Sequence, residues 1–122
     1  PEYWSRFPLQ YFENGKVKIE RMTKENQPML TTSYTKKAVD FIKRNKDNPF
    51  FLYVQHSMPH VPLFVSKNFE SRSGAGLYGD VMMDIDWSVG QITKALKDSG
   101  VEDCLGSKRG RRLFVTASGT RI

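Results

Sequence analysis

The chain has 122 residues, of which 19 are Lys or Arg, 13 are Asp or Glu and one is cysteine. That length holds one small domain or part of a larger one, and 39% hydrophobic residues supply a core, which excludes wholesale disorder. A single cysteine excludes an internal disulfide, and no run approaches the ~20 apolar residues of a membrane span. The first residue is Pro1 and no apolar signal segment follows, so the sequence is expected to start inside a longer reading frame or after processing.

The net charge of +6 belongs to one end of the chain. Residues 105–122 carry Lys108, Arg109, Arg111, Arg112 and Arg121 and no acid, which leaves 14 bases against 13 acids in residues 1–104. A nucleic-acid-binding domain spreads its bases over one folded face, so nucleic acid is not the expected partner of the body.

Residues 1–31 read as loop with one hairpin. Tyr11-Phe12-Glu13 and Lys16-Val17-Lys18-Ile19 flank Asn14-Gly15, a dipeptide suited to a two-residue turn. A helix is expected over 32–45, where Tyr34, Ala38, Phe41 and Ile42 form one apolar stripe and Thr32 or Ser33 serves as cap. Its Lys36, Lys37, Lys43 and Arg44 read as a solvated face. Phe50 to Val54 is a continuous apolar run, as in a central strand covered on both faces. His56-Ser57-Met58-Pro59-His60-Val61-Pro62 is then loop, because two prolines within four residues continue neither sheet nor helix. Ser and Gly residues extend that loop through 66–79.

A second helix is expected over 80–98, with Val81, Ile85, Val89, Ile92 and Leu96 as its stripe, Asp80 as its cap and Gly100 as its stop. Leu113 to Thr116 offers another short strand. Strand, loop, helix and strand make one βαβ crossover, hence an α/β class with a parallel sheet. One such unit is a slice of a larger sheet rather than a finished domain.

Sites in α/β sheets gather beyond the carboxyl ends of strands, where the His56 to Pro62 loop falls. His60, between two prolines, has two readings. One is a histidine aimed at an anionic or leaving-group oxygen; the other is a loop imidazole that satisfies backbone carbonyls. No cluster at metal-ligand spacing accompanies it. Asp80 and Asp84 share a helix face and Asp86 does not, and acids near a helix start are expected for dipole reasons alone. Cys104 has no partner His nearby in sequence and reads as an inert thiol. Gly74-Ala75-Gly76 and Gly106-Ser107-Lys108 lack the spacing of a phosphate loop.

Pro49 to Val54 with His56 to Pro62, followed by Gly76-Leu77-Tyr78-Gly79-Asp80-Val81 and Asp84 to Ile92, resembles the sulfatases in two ordered blocks. The pattern is similar to arylsulfatases and N-acetylgalactosamine-6-sulfatases in particular, most specifically over 49–103. The resemblance implies a fragment of an alkaline-phosphatase-like α/β fold, with a parallel or mixed sheet covered by helices. It implies hydrolysis of sulfate esters on a sugar or aryl group, with bound calcium and a formylglycine nucleophile made from Cys-x-Pro-x-Arg. His60 matches the family's sulfate-contacting histidine, and His56 matches a less constrained position that at most supports that contact.

That nucleophile motif and the paired metal-binding aspartates are absent from the sequence. Cys104-Leu105-Gly106-Ser107-Lys108 imitates the motif but has Gly106 for Pro and Lys108 for Arg. The Ser/Thr-Asp-Asn-Gly metal loop is also missing, since Thr116 runs into Ala117-Ser118-Gly119. The expected division is a partial catalytic domain over 1–104 and a basic tail over 105–122, produced by the native gene, a frame change or a wrong splice near Cys104. The chain alone is expected to be inactive. Two alternatives stand beside this reading: a phosphatase or phosphodiesterase of the same superfamily, and a non-catalytic module binding anions or nucleic acid through the tail.

Overall fold

The computed structural model describes residues 9–101 and the backbone of a short strand at Phe114–Val115. Cys104, the Gly106-Ser107-Lys108 segment and the rest of the basic tail lie outside the described residues.

Strands β1 (Tyr11–Glu13) and β2 (Lys16–Ile19) form the expected antiparallel hairpin, with Phe12 opposite Val17 and Glu13 opposite Lys16. Asn14 and Gly15 both take positive φ, at 51° and 74°, the pair of angles a two-residue hairpin turn needs. The hairpin lies on helix α1 (Leu30–Asn45), to which it is tied by the Lys37–Glu13 ion pair and by Tyr11 Oη to Ser33 Oγ at 3.2 Å. Helix α1 starts two residues earlier than its sequence suggests. A 3-10 turn over Gln27–Met29 leads into it, and neither Thr32 nor Ser33 serves as cap.

The buried face of α1 is Thr31, Thr35, Ala38 and Ile42, a stripe stepping by four, three and four. Tyr34 and Phe41 sit at its margins, half-buried, where Phe41 meets Phe50 edge-on with ring centres 5.5 Å apart. Strand β3 is only Tyr53–Val54, shorter than the apolar run around it. Phe50, Leu52 and Val54 turn toward the helices, whereas Phe51 and Tyr53 are 65% and 51% exposed. The run therefore alternates with period two. Among the described residues α1 and α2 cover one face of the run and leave Phe51 and Tyr53 on the other, as in a slice of a larger sheet.

Helix α2 (Gly76–Asp98) begins four residues before the expected start, so Asp80 lies in its second turn rather than at its cap. Its buried stripe is Val81, Asp84, Ile85, Ser88, Ile92, Ala95 and Leu96. The expected member Val89 is 36% exposed, and Ser88, fully enclosed, takes its place. Gly100 ends the helix with φ of 67°, its N–H donating to Lys97 while the N–H of Val101 reaches Leu96. Strand β4 (Phe114–Val115) pairs parallel with β3, which completes the expected βαβ crossover.

Two apolar clusters result. Ala38 and Ile42 of α1, Val54, and Ile92, Ala95, Leu96 and Val101 form one between the helices. Met58, Val65, Val81 and Ile85, with Leu63, Phe64 and Phe69 beside them, form the other beneath the loop that follows β3.

Candidate active site

The loop beyond β3 reverses at Ser57-Met58-Pro59-His60, where the N–H of His60 donates to the Ser57 carbonyl at 3.3 Å. The Met58–Pro59 and Val61–Pro62 peptide bonds are cis. Met58 points inward to the second cluster, and the N–H of Phe64 donates to its sulfur at 3.4 Å. His60 and Val61 stand outward and exposed at the apex. The His60 Nδ1–H donates to the Val61 carbonyl at 2.6 Å, since a carbonyl only accepts. That contact belongs to the loop-satisfying reading. It also leaves Nε2 as the ring atom for a ligand, an acceptor when the ring is neutral and a donor to an anionic oxygen when it is charged.

His56, by contrast, is buried against both helices. Its Nε2 lies 2.9 Å from Ser88 Oγ, and Ser88 Oγ lies 2.5 Å from Thr35 Oγ1. Thr35 donates its single hydroxyl proton to the Thr31 carbonyl at 2.7 Å. The direction of every other bond follows by elimination. Ser88 donates to Thr35, its own proton is thereby used, and His56 donates Nε2–H to Ser88. The ring is thus the Nε2–H tautomer, with Nδ1 an acceptor. Burial holds its pKa below the ordinary 6.5, and the Asp84 carboxylate pulls weakly the other way.

The carboxylates of α2 hold the far side of the same loop. Asp84, 1% exposed, accepts the N–H of Ser66 on Oδ2 at 2.9 Å. Asp80 gathers three successive N–H groups, Ser71 at 2.8 Å, Arg72 at 3.0 Å and Ser73 at 2.7 Å. The bonds from Ser73, more than those from Ser71 and Arg72, hold its carboxyl below the ordinary carboxylate range against a smaller cost of burial. Gly79 permits this close seat, because a Cβ there would come within 2.6 Å of Ser73 Oγ and 2.8 Å of Ala75 Cβ. These acids clamp a loop; the helix-dipole account expected for Asp80 gives way to that geometry. Asp86 is exposed, as its different face requires.

Among the described residues no three His, Cys, Asp or Glu side chains group as metal ligands. Asp80 spends both oxygens and Asp84 one on backbone N–H groups, so the described residues do not fit a calcium site. Ser88, Thr35 and Ser66 belong to the site without having been singled out in the sequence. The readable signal was a hydroxyl residue in phase with each apolar stripe, at 31, 35 and 88.

Residues 4–104 match the family model described as Sulfatase. The chain belongs to the sulfatase family. Its similarity to human steryl-sulfatase is 43% identity over 76 residues, covering 59% of this chain and 13% of that protein. Human N-acetylgalactosamine-6-sulfatase is 38% identical over 94 residues, covering 76% of this chain and 17% of that protein. A solved structure from a glycosaminoglycan-metabolism locus of Bacteroides thetaiotaomicron superposes with a TM-score of 0.66 at 28% identity, over 87% of this chain and 22% of that one. The sulfatase chain therefore spans under a fifth of the length of these curated relatives. Its helices and short parallel sheet are part of an alkaline-phosphatase-like α/β fold. No helix among the described residues is long and apolar enough to cross a membrane.

Proposed function

We propose that the whole protein carrying this segment hydrolyses sulfate esters of a sugar or aryl group, and that His60 contacts the sulfate. The supporting observation is the exposed His60 imidazole at the apex of a loop clamped to α2, within a segment matched by the sulfatase family over residues 4–104. With Nδ1 engaged on Val61, the ring offers Nε2 to an oxygen of the ester. A donor placed there would stabilise charge as the S–O bond breaks.

On this reading residues 1–104 are part of the catalytic domain and 105–122 are a basic tail. The calcium ion implied by the family would be held by residues other than those described, and the formylglycine would likewise be a residue outside them. The 122-residue chain by itself is expected to be inert.

The test is turnover of an aryl sulfate by the whole enzyme and by its His60→Ala variant. The expected loss in kcat/KM is about 10²- to 10⁴-fold. Unchanged turnover would remove His60 from the reaction. Hydrolysis of an aryl phosphate in preference to the sulfate would move the protein to the phosphatase reading.

A further inference from the structure

His56 and Ser66 bracket the loop that carries His60, and both are fastened to one face of α2. His56 donates to Ser88, and Ser66 donates to Asp84, about one helical turn earlier on the same face. The His56 bond does not end at α2. It continues through Ser88 and Thr35 to the Thr31 carbonyl, so one imidazole ties the loop to α1 as well. Every residue of this path is buried: Ser88 fully, Thr35 and Thr31 nearly so, and His56 at 6% exposed.

A purely apolar side chain at position 56 would pack, but it would not fix the loop's rotation about the helix. A directed chain of three hydrogen bonds does, because each member has one proton and one place to send it. The ring's other nitrogen, Ser66 Oγ and Asp84 Oδ1 are buried without a partner among the described residues. Such unspent polar atoms in an otherwise satisfied interface mark a site kept polar at a cost to stability, which is the pattern of a group held for geometry rather than for burial.

We propose that His56 is a positioning residue of the sulfate site: as a neutral Nε2–H imidazole it sets the aim of His60 through the Ser88–Thr35–Thr31 relay. This rests on the reading of His60 as the sulfate contact. A displacement of about 1 Å at a reacting group costs on the order of 10²-fold in rate, so the effect of His56 is expected in turnover.

The experiment is a double-mutant cycle in the whole enzyme, read as kcat/KM for an aryl sulfate. His56→Leu should lower it about 10²-fold, and His56→Gln, which keeps an N–H near the Nε2 position, should recover about tenfold of that. In a His60→Ala background, His56→Leu should cost less than about threefold, because the group it aims is gone. Ser88→Ala, a smaller truncation, should reproduce the pattern and serves where His56→Leu does not fold. Equal losses in both backgrounds would make His56 a structural residue only and overturn the proposal. So would full activity of both His56→Leu and Ser88→Ala while His60→Ala is impaired. Full activity of His60→Ala would instead overturn the reading of His60 itself, a result visible on that variant alone.

Discussion

The two halves of α2 are built on different principles. From Ile92 to Leu96 the helix buries an apolar face against Ala38, Ile42 and Val54, and Val101 closes the end beyond Gly100. From Asp80 to Ser88 the same helix buries Asp80, Asp84 and Ser88, and spends them on the backbone of one loop and on His56. The first kind of face contributes stability through area and close packing. The second also seats the loop on Val81 and Ile85, and its hydrogen bonds add direction to that apolar seat. A fold that must present one imidazole needs both on one helix.

The contrast can be broken from either side. The largest effect is expected where α1 meets the apolar half: Ile42→Ala, at a fully enclosed position packed on Ile92 and Leu96, should cost about 2–5 kcal/mol by chemical denaturation. Activity per folded molecule should stay near the parent's. If turnover of the folded fraction drops with stability, the division of labour between the halves is wrong.

Gly79→Ala strikes the polar half. Its methyl group would collide with Ser73 and Ala75 and lift the 71–73 segment off Asp80, at about 1–3 kcal/mol. Here the rate of amide exchange at Ser71, Arg72 and Ser73 should rise before that of the α1–α2 core. Unchanged protection of those three amides would show that the loop does not depend on the carboxylate.

The smallest effect is one of pH. Burial lowers the His56 pKa, so between that depressed value and 6.5 the unfolded chain binds the proton and the folded one does not. Above 6.5 both forms are neutral and the group contributes no dependence. As pH falls below 6.5, stability should fall until the native value is reached, with Asp84 moderating the slope. Denaturation midpoints of the parent and of His56→Gln should diverge only in that acidic range. Parallel curves would assign the titration to another group.

Much of the fold was legible in the residues. Asn14-Gly15 specified the hairpin, because few other dipeptides accept two positive φ angles. Gly100 specified the end of α2, and the βαβ order specified the parallel pairing of β3 with β4. The apolar stripes gave both helices their existence and type. They misplaced the faces wherever a buried position is polar. Hydrophobic periodicity chose Val89 over Ser88 and passed over Thr31 and Thr35, because a hydroxyl at a core position announces itself only through a partner distant in sequence. Asp80 looked like a cap for the same reason. Its three N–H donors lie seven to nine residues before it, in a loop with no pattern of its own.

The resemblance separates His60, as the contact, from His56, as at most its support, and the structure adds that the first ring is exposed and the second buried. That difference comes from Met58, which turns the chain inward between them and seats the loop on Val81 and Ile85.

The spacing of the two anchors has a consequence for how this segment can vary. Asp84 and Ser88 stand one turn apart, about 6 Å along the helix axis, and that distance is fixed by the helix and not by the loop it holds. The stretch between His56 and Ser66 is in effect a cassette on a rigid socket. Residues such as Val61 at its rim can change in size or number while the socket, and the helix pair behind it, keep their shape.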